Sequence, residues 1–103
     1  MNYILIGAGS RGMTYGWCAR ELGIGIAAVA ELRPDRLKHA SEAFDVKHSM
    51  CFRDAKDLLS LGKIADAAII ATMDRDHYRH VMQALDCGYD ILLEKPISPD
   101  PRE

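Results

Sequence analysis

The chain has 103 residues, 49% hydrophobic and 27% charged, a composition that excludes a disordered polypeptide and fits one domain with one modest core. Thirteen Lys and Arg against fifteen Asp and Glu give a net charge of -2, which excludes the broad basic face of a nucleic-acid binder. The longest uncharged run, Met1 to Ser10, falls far short of the about 20 apolar residues of a membrane span, and no positive segment precedes it as in a secretory signal.

The first apolar run, Tyr3 to Ile6, ends at Gly7. A second, Ile26 to Ala30, ends at Glu31; a third, Ala67 to Ala71, at Thr72; a fourth, Ile91 to Leu93, at Glu94. Short apolar runs without polar alternation are the pattern of parallel strands covered on both faces. A weaker strand signal lies within Val46 to Phe52. Between the runs the period turns helical. Leu37, Ala40 and Phe44 fall at i, i+3 and i+7, and His77, Val81 and Leu85 at i, i+4 and i+8, spacings that share one helix face. Gly23 and Gly88 suit left-handed C-terminal caps, Pro34 a first turn, and Asp54 with Asp57 the start of a short helix before Leu58 and Leu59. The alternation β-α-β-α-β-α-β-α-β predicts an α/β fold: a three-layer, doubly wound parallel sheet of Rossmann type.

The last six residues, Ser98-Pro99-Asp100-Pro101-Arg102-Glu103, read as the opening of another helix, with Asp100 as N-cap and Glu103 as its capping-box partner. One turn does not form alone, so the expectation is a fragment truncated after the fifth strand. Cys18, Cys51 and Cys87 lie far apart and form no C-x-x-C pair. Their spacing points to reduced thiols in the cytoplasm rather than to a zinc site or a disulfide scaffold.

Gly7-Ala8-Gly9-Ser10-Arg11-Gly12 matches G-x-G-x-x-G between a predicted strand and a predicted helix, the context in which that pattern binds a dinucleotide. Gly7 would allow the tight turn, Gly9 the approach of a pyrophosphate, and Gly12 close helix–sheet packing. The free N–H groups at the helix start, Ser10 and Arg11 among them, would face the anion. Arg11 either adds a cation beside the phosphates or is a solvated surface arginine. Glu31 closes the second strand 19 residues after Gly12, where a carboxylate accepts from the adenosine ribose hydroxyls. It favours NAD, whereas Arg33 nearby is suited to the 2′-phosphate of NADP. Topology then puts Thr72, Glu94 and Lys95 on the same rim as the glycine loop.

Taken together, Gly7-x-Gly9-x-x-Gly12, the acid at Glu31, Asp66-Ala-Ala-Ile-Ile-Ala-Thr72, His77 and Glu94-Lys95-Pro96 resemble the N-terminal domain of the glucose–fructose oxidoreductase and inositol dehydrogenase family (Gfo/Idh/MocA). The resemblance runs over nearly the whole chain. It implies NAD(P)-dependent oxidation or reduction of sugars, cyclitols and similar polyols. It implies that Lys95 lies near the nicotinamide and assists proton loss from the reacting hydroxyl, and that Glu94 contacts the nicotinamide-side ribose. Thr72 and the following turn would line the nicotinamide pocket, with His77 at the start of the next helix. Two departures stand out: Met73 where the family commonly has proline, and Glu31 where it commonly has the shorter Asp. Family members also carry a second α+β domain that forms the substrate pocket, so the isolated chain is expected to show weak or no turnover. An open sheet edge left by missing strands would invite a homo-oligomer. Two other readings remain, a nucleotide-sensing module without chemistry and an S-adenosylmethionine-dependent methyltransferase. His39, His48 and His80 are assigned no functional role, and Trp17 and Met13 are expected to pack the first helix.

Overall fold

The computed structural model describes residues 1–72 and 74–93, with side chains for all of these except 74–78 and 92–93. Glu94, Lys95 and the predicted terminal helix lie outside the described residues. The elements run β1 (Asn2–Ile6), α1 (Ser10–Glu21), β2 (Gly25–Ala30), α2 (Pro34–Ala43), β3 (Cys51–Phe52), α3 (Ala55–Leu59), β4 (Ala67–Ile70), α4 (Asp74–Asp86) and β5 (Asp90–Leu93). A single 3₁₀ turn, His48–Met50, leads into β3. All pairings are parallel, in the order β3-β2-β1-β4-β5. This is the doubly wound order of the Rossmann sheet, which turns back between β1 and β4.

Alternate residues of each strand serve opposite faces. Ile4, Ile6, Ala28, Ala30, Ala68 and Ile70 pack with Ala55, Leu58 and Leu59 of α3, Ala84 of α4, and Tyr89. Leu5, Val29 and Ile69 pack on the other face with Met13 and Ala19 of α1, Ala40 of α2 and Phe44, the residue that caps α2. The central strands are thus apolar on both sides, which is why they read as unbroken runs. Fully burying one such Ile or Leu contributes about 1.5–3 kcal/mol.

Ile26 breaks the alternation. Tyr3 pairs with Ile26, but Ile4 pairs with Ala28, leaving Ala27 as an extra residue in β2. That bulge turns Ile26 away from the face of Ala28 and into the layer of α1 and α2, beside Leu5 and Val29.

Local signals are met at several ends. Gly23 and Gly88 have φ of 81° and 88°, the left-handed cap conformation. Pro34 opens α2, and the Asp54 carboxylate accepts from Lys56 N–H at 2.9 Å to cap α3. Phe44 closes α2 over Gly16 of α1, where an added Cβ would overlap the Phe44 ring. Trp17 stacks edge-on against the same ring at 5.1 Å, so both aromatics serve helix packing. The spacing of α4 differs from expectation. His80 and Ala84 form its buried face at 7% and 0% exposure, while Leu85 is 51% exposed. A strict i+4 series drifts around a 3.6-residue helix, so Leu85 turns outward.

Tyr89 anchors the connection into β4. Its buried hydroxyl donates to Gly62 O at 3.0 Å and accepts from Ile64 N–H at 2.9 Å. Burial pushes the phenol up, with the nearby Cys87 adding to the rise and the Ile64 N–H working against it.

Candidate functional site

β1 and β4 lie side by side, yet α1 covers one face of the sheet and α4 the other. The chain parts at their carboxyl ends, and a crevice at that point is the ligand position of open α/β sheets. Gly7 forms its root. Its φ of 93° is one that L side chains avoid, and a Cβ there would stand 2.8 Å from the Ala71 carbonyl oxygen. Gly7 N–H donates to Ala30 O and Ala71 N–H to Ile6 O, both at 2.8 Å. The start of the loop is therefore held between β2 and β4.

The other two glycines differ in kind. At Gly12 an added Cβ would overlap the Gly7 carbonyl oxygen, so the loop and the first turn of α1 touch through bare backbone. Gly9 is the N-cap of α1, with φ -73° and ψ -171°, a conformation any residue adopts. Among the described residues a Cβ there would meet only Arg36 Nη1, at 3.5 Å. Neither strain nor protein packing demands glycine at this position. Its bare surface leaves room for close approach to the first turn of α1, whose leading N–H groups have no intrahelical acceptor. Ser10 and Arg11 are exposed in that turn.

Glu31 ties this loop to the next one. One carboxylate oxygen accepts from Ala8 N–H at 2.7 Å and the other from Arg33 N–H at 2.9 Å. The added methylene, relative to the aspartate common at this position, lets the carboxylate span from the end of β2 to the glycine loop. Each oxygen keeps a further lone pair for a hydroxyl donor. Arg53 steadies the same turn by donating from Nε to Leu32 O at 2.8 Å. The Arg33 side chain lies against Asp35, Nε to Oδ1 at 3.4 Å, with both side chains largely exposed. Desolvation opposes ionisation of Asp35, but the Arg33 charge and backbone N–H bonds outweigh it and hold the carboxyl below its ordinary value.

On the far side of the crevice, Thr72 follows β4, its Cγ2 3.1 Å from the position of a Gly7 Cβ. Its hydroxyl lies 3.1 Å from His80 Nδ1. The structure thus brings Gly7, Gly9, Gly12, Glu31 and Thr72 to one edge. Met73, Glu94 and Lys95 lie outside the described residues, as does the side chain of His77. Sequence reasoning missed three participants: Arg36, Arg53 and His80. None sits in a pattern one sequence displays, because each acts through a contact between elements distant along the chain. Among the described residues no group of three or more His, Cys, Asp or Glu is placed to hold a metal ion, and no helix is long and apolar enough to cross a membrane.

Comparison with known proteins decides the family. The model of the Gfo/Idh/MocA oxidoreductase family, with its NAD-binding Rossmann fold, matches residues 1–103. The chain belongs to this family. Within it, the chain is 33% identical over 81 residues to an inositol 2-dehydrogenase of Corynebacterium glutamicum, covering 79% of this chain and 23% of that relative. An Agrobacterium radiobacter oxidoreductase solved with NAD+, L-tartaric acid and magnesium superimposes with a TM-score of 0.84 at 27% identity, covering 97% of this chain and 29% of that one. A scyllo-inositol dehydrogenase of Lactobacillus casei shares the fold with a TM-score of 0.82 at 22% identity, over 97% of this chain and 29% of that one. The chain spans about a quarter of the length of such relatives.

Proposed function

We propose that this chain holds NAD across the carboxyl edge of the sheet, as the cofactor domain of a dehydrogenase acting on a polyol, sugar or sugar derivative. The observation that carries the reading is Gly9: a helix-capping glycine that its own protein does not require, standing over the open first turn of α1. The diphosphate lies there, with Arg36 and Arg11 as flanking cations. Glu31 takes the adenosine ribose hydroxyls while fixed to Ala8 and Arg33. A carboxylate fixed in this way repels a 2′-phosphate, and Arg33 is drawn toward Asp35, which together favour NAD over NADP.

NAD, when bound, supplies the acceptor for a hydride taken from an alcohol carbon. The remaining work belongs to the chain. Thr72, with His77, lines the nicotinamide end. Glu94 holds the nicotinamide-side ribose, and Lys95 orients the substrate hydroxyl and assists loss of its proton. The named relatives, inositol dehydrogenases among them, support a cyclitol or sugar as substrate. Groups from a second α+β domain complete the substrate pocket, and an open sheet edge is the surface for self-association. The working compartment is the cytoplasm, where Cys18, Cys51 and Cys87, all free, stay reduced.

Calorimetric titration with NAD, NADP and S-adenosylmethionine tests the reading directly. NAD is expected to bind most tightly, and preference for S-adenosylmethionine would refute it. In the full-length protein, Lys95→Ala is expected to abolish polyol-dependent NADH formation while NAD binding persists. Absence of any such turnover in the unmutated protein would favour a sensing module instead.

A further inference from the structure

His80 lies in no recognisable motif and enters the site described above through its contact with Thr72. Yet among the described residues it is the one residue of polar or charged type that is buried, at 7% exposure. Burying an imidazole costs solvation unless its ring nitrogens find partners. One partner is the Thr72 hydroxyl, 3.1 Å from Nδ1. Thr72 leaves β4 beside Gly7, so a residue of α4 reaches back to grip the hydroxyl at the mouth of the crevice.

A threonine hydroxyl rotates freely and offers one donor and two acceptor sites. A bond to a ring anchored in a packed helix removes that freedom. It holds one rotamer, and the tautomer of the ring decides whether the remaining capacity of Thr72 donates or accepts. We infer that His80 is a positioning residue that fixes the Thr72 hydroxyl for the nicotinamide end of the cofactor. The inference rests on the cofactor reading above and adds to it a residue that never touches the ligand. Pre-set side chains bind more tightly because less freedom is lost on association.

The test uses the full-length protein with His80→Leu, His80→Asn, Thr72→Val and Thr72→Ser, each titrated with NAD and with ADP-ribose, which lacks the nicotinamide ring. His80→Leu and Thr72→Val are expected to lose about fivefold to tenfold in NAD affinity, the size of one neutral hydrogen bond, while ADP-ribose binding holds. Thr72→Ser, which keeps the hydroxyl, and His80→Asn, which keeps a polar atom near Nδ1, are expected to restore most of the NAD affinity. Without any nucleotide, the His80 ring nitrogen resonances are expected to move on Thr72→Val. If His80→Leu does not fold, Thr72→Val makes the same comparison from the other end of the bond. Unchanged NAD affinity overturns the inference, and so does equal loss for both ligands, which marks a structural role alone. Unmutated protein that binds neither ligand overturns the cofactor reading itself, and the inference with it, before any variant is compared.

Discussion

Replacing Glu31 by Gln separates the two duties of that carboxylate. The change keeps shape but removes the charge and leaves one oxygen where two accepted N–H donors, from Ala8 at 2.7 Å and Arg33 at 2.9 Å. A hydrogen bond to a charged group contributes about 1.5–3 kcal/mol. Glu31 is half-buried, so water replaces part of what is lost, and about 1–2 kcal/mol of destabilisation is expected. For a domain of this size that lowers Tm by about 4–8 °C per kcal/mol, readable by circular dichroism. Nucleotide titration reads the second duty. Like charges about 4 Å apart repel by about 1 kcal/mol in water and about 4 kcal/mol near a protein surface. The NAD-to-NADP affinity ratio is therefore expected to fall by about tenfold or more. A Tm within 1 °C of the unmutated chain, together with an unchanged ratio, would refute both halves of the reasoning. Glu31→Asp offers a control: it restores the charge but not the reach to Ala8, so discrimination against NADP is expected to survive better than stability.

Gly9→Ala is expected to leave Tm within a degree or two but to weaken NAD binding at least about tenfold, because the new methyl meets ligand rather than protein. Gly12→Ala is expected to fail at the level of the fold, costing about 3 kcal/mol or more in urea unfolding, since its methyl has no space beside the Gly7 carbonyl. Leu58→Ala, which empties a fully buried site on α3, is expected to cost about 2–5 kcal/mol in the same assay. Tyr89→Phe strands Ile64 N–H and Gly62 C=O and is expected to cost about 1–3 kcal/mol. Because burial raises the Tyr89 phenol in the folded state, its contribution is whole below the ordinary tyrosine value of about 10 and falls as pH rises through the raised one. Urea unfolding between pH 9 and pH 11 is expected to show an alkaline loss that is smaller in Tyr89→Phe.

Much of this architecture was legible in the sequence because the central strands are covered on both sides. Ile4, Leu5, Val29, Ile69 and Ile70 have no polar neighbours to alternate with, so burial left a direct trace. The glycine loop and Glu31 were legible by spacing, since the turn, the helix start and the second strand end must fall at set distances. β3 was readable only as a broad signal, because two residues paired to Val29 and Ala30 carry no period. The double tie of Glu31 and the grip of His80 on Thr72 left no trace, because a hydrogen bond between elements sets no spacing within either one. The reach of Arg53 to Leu32 escaped for the same reason. Leu85 misled because an apolar residue at a regular interval is not thereby a buried one.

The extra residue at Ala27 has a consequence for anyone grafting or aligning this strand. Counting by twos from Ala28 back to Ile26 assigns Ile26 to the wrong layer. Deleting Ala27 would place Ile26 two positions from Val29 and keep it under α1 and α2, whereas straightening the strand with Ala27 retained would drive that isoleucine toward α3 and α4 and open a hole under α1. The irregularity is where β2 changes its allegiance between the two halves of the molecule, and a homologue that keeps the extra residue but not the bulge must repack both.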